Sequence, residues 1–220
     1  MSEPTRVCKI CFKEIKVKSL HSFLCKNQVI CDDCIKKFKP QFIQFKVGKY
    51  NAISIYNYDE TIQNMLYQFK GCFDIELRDV FFNLYYREFS LRYKGYTVVP
   101  IPSHELDDIK REFNHVIEMY RCLNLPIEKV LYKSERYKQS DHKSSERNQI
   151  GKILKMSSLE KIRNKKILLV DDVYTTGSTL RAAIKLVEQA KPKQIEILVM
   201  AKTIFKPSVI GKNAKSIGDK

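Results

Sequence analysis

No apolar run in this 220-residue chain approaches the roughly 20 residues that cross a bilayer. None follows the opening Met-Ser-Glu-Pro-Thr-Arg in the manner of an export signal either. Membrane-spanning and secreted classes are therefore set aside, and a cytoplasmic chain without membrane insertion is the expectation. A disulfide framework is also missing. The seven cysteines are an odd number and include two Cys-x-x-Cys pairs, a pattern that points to metal instead. No Gly-Lys-Ser/Thr follows the chain's Thr/Gly loop, so a nucleoside-triphosphate P-loop is not supported. No residue stands out as a general acid or base, and none can be assigned to recognising a nucleobase. Acidic residues are in the minority, 25 against 40 basic, which gives a formal net charge of +15. Such a charge suggests a polyanionic partner such as nucleic acid. A chain rich in Lys, Ile, Asn, Tyr and Phe together is also what A/T-rich coding produces, and charge alone does not separate the two.

What is present is organised around one stretch. The 44% hydrophobic content supports a real core, and the length suits one α/β domain plus a small module. Residues 167–170, Ile-Leu-Leu-Val, form the short apolar run of a strand buried on both faces of a parallel sheet. Asp171 and Asp172 are expected where that strand ends. Thr175, Thr176, Gly177, Ser178 and Thr179 follow and run into a helical pattern over 180–189. A strand, a Thr/Gly loop and a helix N-terminus make an anion cradle of backbone N–H groups and helix dipole. The paired carboxylates cannot hold a phosphate, but they can accept from a vicinal diol. Phosphate and diol together describe a ribose 5-phosphate. The plainer alternative is an ordinary capped strand-to-helix turn, for which the run is longer than a cap requires.

Residues 1–38 carry Cys8-Lys-Ile-Cys11 and Cys31-Asp-Asp-Cys34, and four thiolates suit a tetrahedral structural Zn²⁺. A segment this short needs the metal's binding energy to fold. His21 and Cys25 lie between the pairs as alternative ligands. Cys25 is read as the spare thiol, because its spacing from Cys31 makes no compact chelating turn. Cys72 and Cys122 read as small core residues.

The basic, aromatic stretch 39–50 reads as a linker, with Phe42 and Phe45 either stacking platforms for single-stranded nucleic acid or docking aromatics for the cysteine module. The phosphate-binding domain then spans 51–220. Strands are expected at 52–58, 96–101, 130–132, 167–170 and 195–200. Helices are expected from Asp59 to a stop at Gly71, over 75–93, and over 105–123. Pro100, Ile101, Pro102 and Ser103 end a strand as a rigid rim and form a candidate second binding loop. Residues 133–148, with Gln139, Asp141, Glu146 and Arg147, read as a mobile excursion, and the tail beyond Lys206 as frayed.

The run 170–179, Val-Asp-Asp-Val-Tyr-Thr-Thr-Gly-Ser-Thr, resembles the phosphoribosyl-pyrophosphate (PRPP) loop of type I phosphoribosyltransferases. The resemblance implies an α/β fold with a mostly parallel sheet flanked by helices. It gives Asp171 and Asp172 the ribose hydroxyls and the Thr/Gly turn the 5-phosphate, with Mg²⁺ accompanying the pyrophosphate. The order of motifs adds to this: the two Cys pairs, Phe69-Lys-Gly71, Pro100-Ile-Pro102, Arg111-x-Phe113-Asn114, Gln139, Glu146-Arg147-x-x-Gln149, then the Asp-Asp loop. In that order the chain resembles the ComF/ComFC family of late competence proteins over nearly its whole length. His115 stands where the family pattern has Gln, Glu112 where it has Gly, and the gap between Cys pairs is longer than in the family.

The resemblance implies a cytoplasmic protein recruited to the inner face of the membrane at the DNA-uptake machinery. It would handle incoming single-stranded DNA during natural transformation, beside a ComFA-type helicase and single-strand-binding or recombination-mediator proteins. An active phosphoribosyltransferase on an unknown acceptor and a PRPP-sensing regulator are the other readings.

Overall fold

The computed structural model describes residues 6–15, 28–82, 85–134 and 153–204. A short helix α1 (Asp32–Ile35) carries the second cysteine pair into β1 (Pro40–Val47) and β2 (Tyr50–Asn57). Helix α2 (Glu60–Leu66) starts at Asp59, whose side chain accepts from the Ile62 N–H, and continues as a π-helical turn, Tyr67–Gly71. A 3₁₀ turn (Ile75–Asp79), α3 (Tyr86–Arg92) and β3 (Tyr96–Pro100) come next, then α4 (Glu105–Arg111) and α5 (His115–Tyr120). Strands β4 (Leu131–Lys133) and β5 (Leu154–Met156) pair antiparallel as a separate two-stranded sheet. The chain then runs through β6 (Lys166–Tyr174), α6 (Ser178–Gln189) and β7 (Gln194–Lys202).

The main sheet has the order β1-β2-β7-β6-β3, parallel except for the antiparallel β1–β2 hairpin at its edge. Alternation along the strands feeds two cores. Leu168 and Val170 of β6 join Tyr96, Val98, Leu198 and Met200 on one face. Ile167 and Leu169 join Val99, Ile195, Ile197 and Val199 on the other, under Leu180, Ala183, Ile184 and Val187 of α6. Strands buried on both faces read as continuous apolar runs, as β6 does. The cysteine segment packs into the first of these cores through Cys8, Ile15, Ile30, Cys34 and Phe38. Phe38 meets Tyr56 edge-on at 5.7 Å, and Lys9 pairs with Glu76 at 3.1 Å.

Several expectations are corrected. The linker expected over 39–50 is instead β1 and its turn into β2, with Gly48 at φ +61 supplying the left-handed turn conformation. Its rings face inward partners: Phe42 lies edge-on to Tyr85 at 5.1 Å and Phe45 to Tyr174 at 4.7 Å. Phe45 is half-buried, whereas Phe42 keeps an exposed face. Pro40, a bulge between Pro40 and Ile43, and exposed lysines blunt this edge strand against further pairing. The helix expected over 105–123 is broken. Glu112 takes a left-handed φ of +66, and Asn114 caps a new helix by accepting from the Ile117 N–H. The helical region expected over 75–93 is likewise a 3₁₀ turn and a separate α3, although its rings do pack in the core, as Phe82 does on Phe89 and Tyr120. Cys72 is exposed and only Cys122 is packed, its thiol pushed up to about 12 by burial and then by Asp79. Gln139, Asp141, Glu146, Arg147, His21, Cys25 and the tail beyond Lys206 lie outside the described residues. Among the described residues, no helix is long and apolar enough to cross a membrane.

Candidate functional site

Strands β3 and β6 run parallel, β3 ending at Pro100 opposite Val170 and β6 running on to Tyr174, so the loop after β3 lies against the carboxyl end of β6. A cavity of about 600 Å³ opens there, within the range of small-molecule sites. Ile101, Pro102 and Ser103 line it from the loop after β3, and Asp171, Asp172 and Val173 from β6. Thr179 enters from the first turn of α6, and Lys70 and Gly71 from the π-helical turn. Thr175, Thr176, Gly177 and Ser178 form the turn into α6 beside this cavity, whereas Pro100 is buried in β3. Thr176 Oγ1 and Ser178 Oγ are 2.9 Å apart. Gly177 is required here: its φ is +72, and a Cβ would lie 2.6 Å from the Tyr174 ring.

The acidic pair differs from its sequence reading. β6 continues through Tyr174, pairing Asp171 with Val199 and Val173 with Ala201, so neither Asp sits at a solvated strand end. Asp172 is 9% exposed. Its Oδ2 accepts from Lys70 Nζ at 2.5 Å and from His115 Nε2 at 3.1 Å, and its Oδ1 from the Val173 N–H at 2.6 Å. Arg111 Nη1 reaches His115 Nδ1 at 2.8 Å. A guanidinium only donates, so Nδ1 accepts and the imidazole carries its proton on Nε2, facing Asp172. Burial alone would raise the Asp172 carboxyl, but the His115 hydrogen bond and the Lys70 charge outweigh it and hold that carboxyl far below the usual range. Asp171 goes the other way. Burial, then the neighbouring Asp172 charge, push its carboxyl well above the ordinary value. Two adjacent aspartates thus carry opposite protonation tendencies, the pattern of a site in which one group stays ionised and the other holds a proton.

The second loop is braced from beneath. Ser103 Oγ donates to Asp108 Oδ1 at 2.5 Å, and Asn114 Nδ2 donates to Asp108 Oδ2 at 2.6 Å. The Arg-x-Phe-Asn motif therefore holds this rim and, through Arg111, orients His115. Lys70, Arg111 and His115 fall in or beside the Phe-Lys-Gly and Arg-x-Phe-Asn motifs, but nothing in those motifs by themselves assigns them to the acidic pair. They come to Asp172 over long separations, 102 residues for Lys70 and 57 for His115, which no local pattern records.

The cysteines Cys8, Cys11, Cys31 and Cys34 converge, their sulfurs all within 4.8 Å of one another. Cys11 Sγ and Cys31 Sγ are 3.6 Å apart. Sulfurs about 2.3 Å from a tetrahedral zinc are separated by roughly 3.8 Å, so the four thiols fit such an ion. Burial would raise Cys8, yet the backbone N–H groups of Cys11, Cys31 and Ile10 bring its thiol down to about 7. Burial and then the neighbouring sulfurs push Cys34 up. Crowded thiols of this kind cannot all ionise without a cation among them.

The family model described as the phosphoribosyl transferase domain matches residues 93–217, more than half of the chain. Competence protein ComFC of Bacillus subtilis (strain 168) is 26% identical over 206 residues, covering 89% of this chain and 85% of that protein. Competence protein ComFC of Streptococcus pneumoniae (strain ATCC BAA-255 / R6) is 31% identical over 144 residues, 65% of this chain and 64% of that protein. Among solved structures, a hypoxanthine phosphoribosyltransferase from Staphylococcus aureus aligns at 16% identity and a TM-score of 0.32, covering 64% of this chain and 62% of that one.

Proposed function

This chain belongs to the phosphoribosyl transferase domain family and, within it, to the ComF/ComFC family, and from that premise we propose that it is a competence protein whose central cavity binds PRPP or a related ribose 5-phosphate. The carrying observation is the placement of Asp171 and Asp172 in one cavity with Thr179 of the α6 N-terminus, beside the Gly177 turn. The ionised Asp172 and the carboxyl of Asp171 take the ribose hydroxyls, and the N–H groups and hydroxyls of residues 175–179 meet the 5-phosphate charge. In this reading the protein handles incoming single-stranded DNA on its basic surface, working in the cytoplasm beside a ComFA-type helicase and single-strand-binding or recombination-mediator proteins at the uptake machinery. The two ComFC relatives and the net charge of +15 support the DNA-handling part. Cys8, Cys11, Cys31 and Cys34 would hold a structural Zn²⁺, which ties α1 and the first cysteine turn to the core. Mg²⁺ belongs to this reading only as a companion of the pyrophosphate oxygens.

One observation favours a catalytic version of the same site. Asp171, raised by burial and by its neighbour, tends to hold a proton next to an ionised Asp172. An acid beside a charge stabiliser is a pairing that transfer chemistry would use. Calorimetric titration of purified protein with PRPP, repeated with single-stranded DNA present, tests the binding reading. Saturable PRPP binding supports it, and no heat or displacement at millimolar PRPP refutes it. Pyrophosphate release from bound PRPP separates the catalytic version from the binding one.

A further inference from the structure

Asp172 already has three donors. Val173 N–H and His115 Nε2–H are fixed, the first by the backbone and the second by a ring whose side chain is 8% exposed and tied to Arg111. The third, Lys70, differs from both. Its side chain is 36% exposed, it stands on a flexible four-carbon stem, and it lines the cavity itself. A carboxylate offers about four acceptor positions, so Asp172 cannot receive a diol in full until one donor leaves. Lys70 is the donor that can go. Leaving Asp172 costs the Lys70 ammonium its charged acceptor, a loss that water offsets only in part and that an arriving anion makes good. Lys70 also lies within the π-helical turn Tyr67–Gly71, a backbone irregularity of the kind concentrated at functional sites.

Resting on the ribose 5-phosphate reading of the cavity, we propose that Lys70 is its specificity-determining residue. Lys70 blocks the diol acceptor Asp172 and yields it at least cost to a ligand that brings a second anionic group, so a ribose bisphosphate-type ligand is selected over a plain ribose 5-phosphate. The ligand's anion takes the ammonium while its hydroxyls take the carboxylate. His115 and Arg111 keep Asp172 oriented during the exchange, because their hydrogen bonds do not need to break. Discrimination in this scheme comes from a blocking interaction as well as from an attractive one.

The test measures PRPP and ribose 5-phosphate binding to the full-length protein and to Lys70→Met. The parent should favour PRPP. Lys70→Met should lose about tenfold in PRPP affinity, the scale of one charge-assisted hydrogen bond, while ribose 5-phosphate affinity holds or rises because Asp172 is freed. Lys70→Arg should restore the preference for PRPP. Equal weakening of both probes in Lys70→Met, or an unchanged ratio between them, overturns the proposal. A second measurement uses the parent and needs no variant to fold: inorganic pyrophosphate, by engaging Lys70, should tighten ribose 5-phosphate binding several-fold. Pyrophosphate that leaves ribose 5-phosphate affinity unchanged or weakens it also overturns the proposal. A parent that binds neither probe overturns both this inference and the reading beneath it, whereas the ratio and synergy results bear on Lys70 alone.

Discussion

Replacing each aspartate of the central pair by its neutral isostere should move stability in opposite directions. In Asp172→Asn the cavity keeps its shape, but an amide now faces donors on two sides. Lys70 Nζ at 2.5 Å and His115 Nε2–H at 3.1 Å lose a charged acceptor. A hydrogen bond to a charged group is worth about 1.5–3 kcal/mol. The Lys70 share is discounted, because its side chain is 36% exposed and can turn to water. The buried His115 hydrogen bond is counted in full, which leaves a net loss of about 2 kcal/mol. For a chain of this size that lowers Tm by about 4–8 °C. Asp172 has a depressed folded value, so its contribution is present above the unfolded carboxylate range near pH 4 and is lost as pH falls through the folded one. Asp172→Asn should therefore be less stable than the parent at neutral pH, and the gap should close in strong acid.

Asp171 has a raised folded value, so the native state binds the extra proton and the parent loses stability as pH rises from about 4 through that value. Asp171→Asn removes that loss and keeps an oxygen for the Asp172 N–H, which the native carboxylate accepts at 2.9 Å. It should be more stable than the parent at neutral pH and similar to it near pH 4. Urea or thermal unfolding of the three proteins at several pH values, from acid below about pH 4 up to about pH 8, reads both effects. Asp172→Asn as stable as the parent, or Asp171→Asn less stable at neutral pH and above, would refute the assignment of opposite protonation to the pair.

Metal analysis should find one zinc per chain, lost in the Ser variants of Cys8, Cys11, Cys31 or Cys34 and kept in Cys25→Ser; the reverse result for Cys25 and Cys31 would reassign the fourth ligand. Gly177→Ala should lower PRPP affinity at least tenfold and cost about 1–3 kcal/mol of stability, since the left-handed φ of +72 and the Tyr174 ring both oppose a Cβ; unchanged titration and unfolding curves would count against the cradle. Single-stranded DNA binding should weaken with salt by a log–log slope of roughly −0.7 per neutralised phosphate, and a slope near zero would dissociate the net charge from DNA handling.

The parts of the fold legible in the sequence are those set by local burial. Residues 167–170 and 195–200 announce strands because both faces are covered, and α6 announces itself through Leu180, Ala183, Ile184 and Val187. Strand ends are less legible. Asp171 and Asp172 interrupt the apolar run, yet the strand continues because β7 supplies partners through Lys202. β1 is hidden for a related reason: a two-stranded edge with one solvated face tolerates Lys, Gln and Pro, and so resembles a linker. The break before α5 carries a readable signal in Asn114, a strong N-cap residue, which the helical periodicity on either side outweighs.

Net charge is where sequence and geometry part most clearly. The formal +15 treats every basic residue alike. Lys70 is held by Asp172, Arg111 by His115 and Asp108, and Lys9 by Glu76 and Asp79, so these cations are committed inside the fold. The lysines at the exposed β1 edge, Lys39 and Lys46, face solvent instead. A polyanion would read the second group and not the first. Substituting Lys39 and Lys46 should accordingly reduce the salt slope for DNA by roughly 0.7 for each phosphate no longer neutralised and leave PRPP binding alone. Lys70→Met should do the converse. If the two sets of variants instead weaken both ligands in proportion, DNA and phosphoribose share one surface, and the cavity is part of the DNA path.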